Sequence, residues 1–374
     1  MAQRIYIIGT GVISGHHAQA RQALPRETEL YAADPNPEAL AKFKAEHPDA
    51  VTFPSSDEML AHAPARDLDI VAVSTPPKWH CSETLKALRS GRNVVCEKPF
   101  AMSLDEARQM VDEAKTLGLH VACCSNRFID WASNRDLKQL LNDGVIGEPY
   151  LVDFLHRSSC SRTGVEYQNG SWWFLEKAKN GGGPLLDWGP YDVAVLLELF
   201  EPTHITITGA IAQHINVPHG IPDGVTYDIE TQAAATLTLH RDAGRDVTVR
   251  YERTCCTHGE NESKETIYGT KGSATWSWLP FEKDPHVKLR VTRAPRLADE
   301  TVHPSTPQSD DDTWVHAPVR EFDRFLRGDA TAPVLVNDDA LFPFSMLQGI
   351  YQAAETGQPV TVHRTAAKLA EATQ

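Results

Sequence analysis

The sequence predicts a doubly wound α/β domain followed by an α+β domain with an open antiparallel sheet. In the first 125 residues, short and continuously apolar segments alternate with amphipathic helices, which is typical of a parallel sheet. From residue 126 onward the strand segments lengthen and alternate apolar with polar residues, as half-exposed antiparallel strands do. A chain of 374 residues exceeds the size that one core usually supports, so we expect two domains, residues 1–125 and 126–374.

In the first domain the sequence predicts five strands and both ends of one helix. The predicted strands are residues 4–9, 29–34, 68–74, 93–97 and 120–125. Ser103 and Glu106 fit a capping box at the start of one helix, and Gly118 stands where a glycine would end it.

The second domain is predicted to contain one sheet with helices around it. A strand is expected at 149–156, and hairpin turns are expected at 242–244 and 269–272. One helix follows the glycines of residues 181–183. The other predicted helices are residues 133–142, 314–327 and 338–356.

Composition and charge exclude several classes of protein. The formal net charge is -14 and no basic run is present, which argues against nucleic acid or an anionic membrane as a partner. No segment approaches the roughly 20 apolar residues of a membrane span, and the N-terminus does not resemble a signal peptide, so we expect a cytoplasmic protein. The seven cysteines form no CxxC pair and no four-ligand zinc pattern, so we expect reduced thiols and no metal.

A glycine-rich turn follows the first strand. The segment GTGVISG, residues 9–15, leads from that strand into a helix, which is the context of the dinucleotide-binding fingerprint. Gly9 permits the tight turn, Gly11 lets the backbone approach a pyrophosphate, and the small residue Ser14 stands at the third glycine position. The helix start offers free N–H groups and the positive end of its dipole to the anion.

An acidic residue ends the second strand. In a dinucleotide site a carboxylate at the place of Asp34 accepts hydrogen bonds from the adenosine ribose. No Arg or Lys follows in DPNP, and the charge of Asp34 would repel a 2′-phosphate, so the sequence favours NAD over NADP. The alternative is a glycine turn in another kind of α/β protein, with a surface aspartate.

Further motifs are spread along the chain. They are STPPKWH (74–80), GRNVVCEKPFAMSLDEA (91–107), SNRF (125–128), GVIGEPY (144–150), GGGPLLDWGPY (181–191), YGTKGSATW (268–276) and AETGQPV (354–360). Together with the fingerprint they resemble the glucose–fructose oxidoreductase, inositol dehydrogenase and rhizopine-catabolism (Gfo/Idh/MocA) family. The resemblance implies a Rossmann domain that binds NAD(P), a C-terminal domain with a large, mostly antiparallel sheet, and an active site between them.

The resemblance also implies catalytic residues. Lys98 matches the family's lysine near the nicotinamide, Asp187 matches its aspartate, and Tyr191 falls where many members have the catalytic histidine. We hypothesise that Tyr191 is the acid/base, that the ammonium of Lys98 stabilises its phenolate, and that Asp187 orients Lys98 or the substrate. The alternative is that Asp187 only caps its helix and that Tyr191 packs in the domain interface.

Other binding residues are predicted at the strand ends and in the second domain. The cofactor-binding residues are Gly9, Thr10, Gly11, Val12, Ile13, Asp34, Ser74, Thr75, Pro76, His80, Glu97, Lys98 and Asn126. The substrate-binding residues are Lys98, Arg127, Arg162, Trp173, Asp187 and Tyr191. For His80, capping or packing of its helix is an equally good interpretation, and for Arg162 a surface position is equally good. Adjacent tryptophans such as Trp172 and Trp173 more often belong to a core than to a sugar site, and His17 is interpreted as structural.

These residues predict an NAD-dependent dehydrogenase or reductase acting on a secondary alcohol or ketone of a sugar, cyclitol or related polyol. One alternative enzyme retains NAD and uses transient oxidation for elimination, epimerisation or glycoside cleavage. A third interpretation, a non-catalytic sugar or nucleotide sensor, is disfavoured by the intact Lys98 and Asp187. The second-domain sheet would need covering if one face were flat and apolar, so we expect a homodimer or homotetramer assembled through it.

Overall fold

The computed structural model describes residues 3–168, 170–215, 220–279, 286–293, 296–302 and 313–364. By their contacts, the described residues divide into two units. The first unit lies within Met1–Arg127, Ala178–Gly181 and Asp311–Phe344, and the second within Phe128–Lys177, Gly182–Asp310 and Ser345–Gln374. The domain boundary predicted after residue 125 stays a prediction.

The N-terminal segment alternates strands with helices as expected. Its elements are β1 (Gln3–Ile8), α1 (Ser14–Ala20), β2 (Thr28–Ala33), α2 (Pro37–Glu46), β3 (Val51–Phe53), α3 (Ser56–Ala61), β4 (Ile70–Val73), α4 (His80–Arg89), β5 (Asn93–Cys96), α5 (Leu104–Thr116) and β6 (Val121–Cys123). All five predicted strands are present. The extra strand, β3, has three residues and no buried position, so it gives no apolar run to detect.

The rest of the chain carries most of the long strands. Its elements are α6 (Ala132–Asn142), β7 (Pro149–Ser159), α7 (Lys177–Asn180), α8 (Pro184–Asp187), α9 (Gly189–Phe200), β8 (His204–Gln213), β9 (Gln232–His240), β10 (Val247–Thr257), β11 (Glu262–Gly269), β12 (Gly272–Trp276), β13 (Val287–Arg293), β14 (Arg296–Val302), α10 (Thr313–Leu326), β15 (Leu335–Val336), α11 (Asp338–Thr356) and β16 (Val360–His363). The predicted helices and both hairpin turns are confirmed. Among the described residues, no helix is long and apolar enough to cross a membrane.

The first unit is built on a seven-stranded sheet in the order β15-β6-β5-β4-β1-β2-β3. Strands β1 to β6 run parallel, which confirms the predicted doubly wound sheet. Strand β15 adds an antiparallel edge next to β6, where Leu335 pairs with Cys123. The strand order reverses between β1 and β4, and ligands bind beyond the carboxyl ends of the strands at such a point.

The core of the first unit explains why its strands are continuously apolar. Ile5, Ile7, Ile70 and Ala72 are fully buried, together with Phe322 from α10, in one cluster. Both faces of a parallel sheet are covered by helices, so alternation with polar residues is not expected in its strands.

The predicted ends of α5 are also found. The Ser103 hydroxyl accepts a hydrogen bond from the Glu106 N–H at 3.2 Å. The Glu106 carboxylate accepts from the N–H of Met102, one residue earlier than a capping box requires. Gly118 has a φ of +66°, the left-handed conformation that ends many helices.

The second unit is built on a nine-stranded sheet in the order β14-β13-β12-β11-β7-β10-β9-β8-β16. Among the described strand pairs of this sheet, only β7–β10 is parallel, so the predicted mostly antiparallel sheet is confirmed. Leu237 and Leu239 of β9 are buried, whereas Thr236 and Thr238 on its other face are half-buried. Helix α11 covers the apolar face so closely that a Cβ at Gly349 would lie 2.7 Å from Ile207.

Candidate active site

The glycine turn after β1 packs against the loop after β4. Gly9 has a φ of +91°, and a Cβ there would lie 2.9 Å from the Thr75 nitrogen and 3.0 Å from the Ser74 oxygen. Gly9 is therefore required for a close approach as well as for the turn. A Cβ at Gly11 would meet nothing within 4 Å, so the surface above Gly11 is open.

The start of α1 fits an anion site. Its N-cap, Ile13, makes no side-chain capping hydrogen bond, although the N–H groups of Ser14 and His16 donate to the carbonyls of Gly11 and Ile13, each at 3.1 Å. The positive end of the helix dipole still favours an anion here. Ser14 is buried and its hydroxyl donates to the Gly11 carbonyl at 2.5 Å. Val12 is 65% exposed, an apolar surface that a bound nucleotide would cover.

Asp34, directly after β2, holds the glycine turn in place. Its Oδ2 accepts hydrogen bonds from the N–H of Thr10 at 2.7 Å and from the Thr10 hydroxyl at 3.1 Å. Its Oδ1 accepts from the N–H of Asn36, the residue that caps α2. The carboxylate thus lies beside the glycine turn, where the fingerprint places the residue that contacts the ribose.

The loops after β4 and β5 are joined by a histidine. His80 is fully buried, and its ring nitrogens lie 2.8 Å from the carbonyl oxygens of Thr75 and Pro99. Burial lowers the pKa of His80, although the two carbonyls act in the opposite direction. The Ser74 hydroxyl donates to the Gly9 carbonyl at 2.8 Å. Both side chains therefore bind backbone, which fixes the two loops relative to the glycine turn.

Glu97, at the end of β5, is the centre of a buried network. Its Oε1 accepts hydrogen bonds from Arg127 at 2.7 Å and from His17 at 3.0 Å, and its Oε2 accepts from the Lys98 N–H at 3.1 Å. Burial acts to raise the pKa of Glu97, but the charge of Arg127 and the hydrogen bond from His17 outweigh it and lower the pKa. The network fixes the backbone at Lys98, which is half-buried.

The same network contains a possible metal-ligand set. Potential ligand atoms of His17, Glu97 and Cys124 lie within 4.8 Å of one another, and all three residues are buried. The guanidinium of Arg127 already binds the Glu97 oxygen and would repel a cation. Burial also holds the pKa of Cys124 well above its ordinary value, which disfavours the thiolate that binds metals. This cluster fits a hydrogen-bond network better than a metal site.

Two buried polar atoms near the strand ends fit a bound cofactor. Thr75 Oγ1 and Asn126 Oδ1 have no hydrogen-bond partner within the described part of the chain. Asn126 donates through Nδ2 to the Pro333 carbonyl at 3.0 Å, which fixes its side chain. Buried polar atoms normally have partners, so these two residues suit the hydroxyl and amide groups of a dinucleotide.

In the second unit, Gly182 and Gly183 have no room for a side chain because Glu230 and Tyr351 lie against them. A Cβ at Gly183 would lie 1.8 Å from the Glu230 carbonyl oxygen, and one at Gly182 would lie 2.2 Å from the Tyr351 hydroxyl. The Glu230 carboxylate accepts hydrogen bonds from the N–H groups of Gly183 at 2.7 Å and Leu185 at 3.3 Å, and from Tyr351 at 2.8 Å. Glu230 therefore caps α8, and the glycines make room for it.

Asp187 ends α8 and does not cap the following helix. The N-cap of α9 is Trp188, which makes no side-chain capping hydrogen bond, so the capping alternative for Asp187 is wrong. Asp187 is 2% exposed, and its carboxylate accepts a hydrogen bond from Tyr167, whose hydroxyl oxygen lies 2.6 Å from Oδ1 and 2.7 Å from Oδ2. The carboxylate is therefore held by a residue that sequence reasoning missed.

Tyr191 lies one helical turn after Asp187, as the spacing predicts. It is buried, with its ring 4.7 Å from that of Phe128 and 5.8 Å from that of Trp188. Its ring thus packs against two aromatic rings of the second unit, and its proposed role as acid/base stays a prediction.

A buried ion pair follows directly. Asp192 and Arg253 are both buried, and Arg253 Nε lies 2.6 Å from the carboxylate, which also accepts from the Tyr251 hydroxyl at 2.8 Å. The guanidinium also lies near the rings of Trp188 and Trp278, with its carbon 5.4 and 5.8 Å from their centroids. No local signal in the sequence joins positions 192 and 253, so sequence reasoning missed the pair.

A cleft of about 420 Å³, including its open mouth, borders these residues within the second unit. Residues that carry its chemistry are His156, Arg162, Tyr167, Asp187, Trp188 and Arg253. Burial and the nearby charge of Arg253 lower the pKa of His156 to about 4, so its imidazole is neutral at pH 7. The walls therefore combine two carboxylates, from Glu166 and Asp187, with two guanidinium groups, a phenol, a neutral imidazole and an indole.

Two of the four substrate-binding residues predicted in this unit line that cleft. Arg162 does so while its Nε donates to Glu166 at 2.8 Å, and Asp187 is the other. Trp173 stacks on Phe174 with ring centroids 3.9 Å apart. Neither Trp173 nor Tyr191 is among the described residues that line the cleft.

Known families and structures match both parts of the chain. Residues 3–124 match the model of the oxidoreductase family with an NAD-binding Rossmann fold, and residues 134–275 match the GFO/IDH/MocA C-terminal domain. The chain belongs to the Gfo/Idh/MocA family. It is thus an oxidoreductase with an NAD-binding Rossmann domain, as the motifs predicted.

Relatives of the Gfo/Idh/MocA family resemble it over nearly their whole length. D-glucoside 3-dehydrogenase of Escherichia coli (strain K12) is 26% identical over 367 residues, 96% of this chain and 97% of that protein. The WlbA dehydrogenase of Bordetella pertussis, in complex with NADH and UDP-GlcNAcA, has a TM-score of 0.73 at 23% identity, covering 97% and 99%. Levoglucosan dehydrogenase with NADH and levoglucosan has a TM-score of 0.75 at 18% identity, covering 98% and 100%. These two structures have the same fold as this chain.

The network around Glu97 predicts a pH-dependent stability. Because the pKa of Glu97 is lowered in the folded state, its contribution is complete above the unfolded value, near pH 4.3, and is lost as the pH falls toward the folded value. Glu97→Gln should lower the free energy of unfolding by about 3 kcal/mol at pH 7, because Arg127 loses its charged partner. The difference from wild type should shrink between pH 5 and pH 3, measured by urea unfolding; a pH-independent difference would contradict it.

Proposed function

We propose that the protein is an NAD-dependent oxidoreductase that moves a hydride between the nicotinamide and a secondary alcohol or ketone of a sugar, cyclitol or related polyol. The observation that carries this proposal is the Asp187 carboxylate at the wall of the cleft, in a chain of an oxidoreductase family. Two of the relatives named above are dehydrogenases of a glucoside and of levoglucosan by their names, which supports the substrate class.

The polarity of the cleft suits a polyhydroxylated ligand. Ser161, Thr163, Glu166 and Asp187 contribute hydroxyl and carboxylate groups that pair with substrate hydroxyls. The indole of Trp188 supplies an apolar wall for the C–H face of a ring. A ligand with hydroxyls around a carbon ring uses both kinds of wall.

The proposed roles follow from what hydride transfer requires. Bound NAD supplies the hydride acceptor. Removal of a hydride from a carbinol carbon requires the hydroxyl proton to leave as well, and we assign its removal to Tyr191 with the phenolate stabilised by the ammonium of Lys98. Asp187 orients Lys98 or accepts a hydrogen bond from the substrate.

NAD rather than NADP is the proposed cofactor because Asp34 lies beside the glycine turn. Its carboxylate binds Thr10 in that turn and would repel the 2′-phosphate of NADP. Residues after Asp34 are not basic, since Pro35 and Asn36 follow.

We also propose a homodimer or homotetramer assembled through the second-unit sheet. The face of β9 that carries Thr236 and Thr238 is half-buried and polar, and the neighbouring Asp153 is paired with Arg250 and Lys264. At these residues an interface would therefore use hydrogen bonds and ion pairs, whereas the sequence predicts an apolar contact. The molar mass measured by light scattering at micromolar concentration tests this assembly. The mass of a monomer would contradict it.

The reaction is tested by following reduced nicotinamide with a panel of polyols and glycosides. Tyr191→Phe and Lys98→Met should each lower kcat about 10²- to 10⁴-fold, the usual contribution of general acid–base catalysis. Tyr150→Phe and Lys42→Met, which change exposed residues outside the cleft, are matched controls.

Turnover without net NADH would point to NAD-retaining chemistry, and sugar binding without turnover would point to a sensor. Turnover of Tyr191→Phe at the wild-type rate would show that Tyr191 is not the acid/base.

The cofactor preference is tested by Asp34→Asn. The amide keeps an acceptor for Thr10 but loses the charge that repels a 2′-phosphate, so the ratio of kcat/KM for NAD to that for NADP should fall about tenfold, or about 1.4 kcal/mol. Asp105→Asn, at a fully exposed aspartate of α5, is the control. An unchanged ratio would show that Asp34 does not select the cofactor.

A further inference from the structure

The hydroxyl of Tyr167 donates a hydrogen bond to the carboxylate of Asp187, and both residues belong to the second unit. Its oxygen lies 2.6 Å from Oδ1 and 2.7 Å from Oδ2. A phenol has one hydrogen, so it donates to one oxygen at a time, and the similar distances place it between the two. Donation to a carboxylate at this distance is a strong, charge-assisted hydrogen bond.

The ring of Tyr167 is held in place by its own segment. It meets Phe174 edge to face, with centroids 6.0 Å apart and an interplanar angle of 71°. Phe174 in turn fills the space beside Gly164, where a Cβ would lie 2.0 Å from its ring. The N–H of Gln168 donates to the Gly164 carbonyl at 2.9 Å, which closes the turn that carries Tyr167. The packing of its ring and the turn that carries it therefore fix the Tyr167 hydroxyl beside Asp187.

A carboxylate needs such a contact to keep one orientation. Rotation of an aspartate carboxylate about its last bond is broad and nearly twofold, so burial alone does not fix the plane of its oxygens. A donor that lies between both oxygens does fix it. We propose that Tyr167 is a positioning residue, which sets the orientation of the Asp187 carboxylate for a substrate hydroxyl in the cleft; this rests on the role proposed for Asp187.

Tyr167 and the substrate would share the carboxylate rather than compete for it. An ionised carboxylate only accepts, and its two oxygens offer about four lone-pair sites. When a substrate hydroxyl donates to one oxygen, Tyr167 can settle on the other. Tyr167 and Asp187 line the same cleft, and Tyr167 is 51% exposed, so a ligand can reach both.

The test is Tyr167→Phe, which keeps the ring against Phe174 and removes only the hydroxyl. We expect kcat/KM for the alcohol substrate to fall about 10- to 100-fold, the usual effect of losing a hydrogen bond to a charged group. The Kd for NADH should not change, while the melting temperature should fall by a few degrees, because a buried carboxylate loses one hydrogen bond. Tyr150→Phe, which removes an exposed hydroxyl outside the cleft, should leave kcat/KM unchanged.

A double-mutant cycle separates positioning from a structural role. In an Asp187→Asn background, Tyr167→Phe should cost much less than in wild type, because Tyr167 acts through that carboxylate. Where that rate is too low to measure, substrate Kd from tryptophan fluorescence completes the cycle. Equal losses in both backgrounds, or wild-type kcat/KM in Tyr167→Phe, would overturn the inference while leaving the proposed function intact. Full activity of Asp187→Asn would instead refute the proposed role of Asp187.

Discussion

The pairing of one buried carboxylate, Glu97, holds together the ligand-binding edge of the first unit. A charge in a dry interior is costly unless it is paired and hydrogen-bonded. His17 from α1 and Arg127 from the end of β6 supply those partners, and the Lys98 N–H supplies a third. Helix α1, which follows the glycine turn, and the strand end that carries Lys98 are therefore fixed by the same group.

The second unit uses carboxylates in the same way to place Asp187. Glu230 caps α8 through the N–H groups of Gly183 and Leu185, from a position 47 residues further along the chain than Gly183. Burial raises the pKa of Glu230, while those N–H groups favour its charged form. The helix start is thus set by a distant residue, and Gly182 and Gly183 leave room for that residue and for Tyr351.

Features with a local signal were predictable, and features made by distant partners were not. The apolar strands, the turn at Gly9 and the position of Asp34 follow from periodicity, glycine content and spacing over short stretches. Strand β15, the Glu230 cap and the Tyr167 contact join segments far apart in the sequence, and their residue types are common. The capping alternative for Asp187 failed for a related reason: Pro190 marks a helix start, but Trp188 occupies the N-cap without a capping side chain.

Two aspartates five positions apart show how the structure divides structural from chemical carboxylates. Asp192 is fully buried and paired with the guanidinium of Arg253, so a substrate that used it would break a buried ion pair at a cost of about 3–5 kcal/mol. The phenol that donates to Asp187 is neutral, so this contact orients the carboxylate without cancelling its charge. Asp187 also lines the cleft, whereas Asp192 does not line it among the described residues. At this helix start, Asp187 therefore lies at the cleft, while Asp192 is tied to Arg253 of β10.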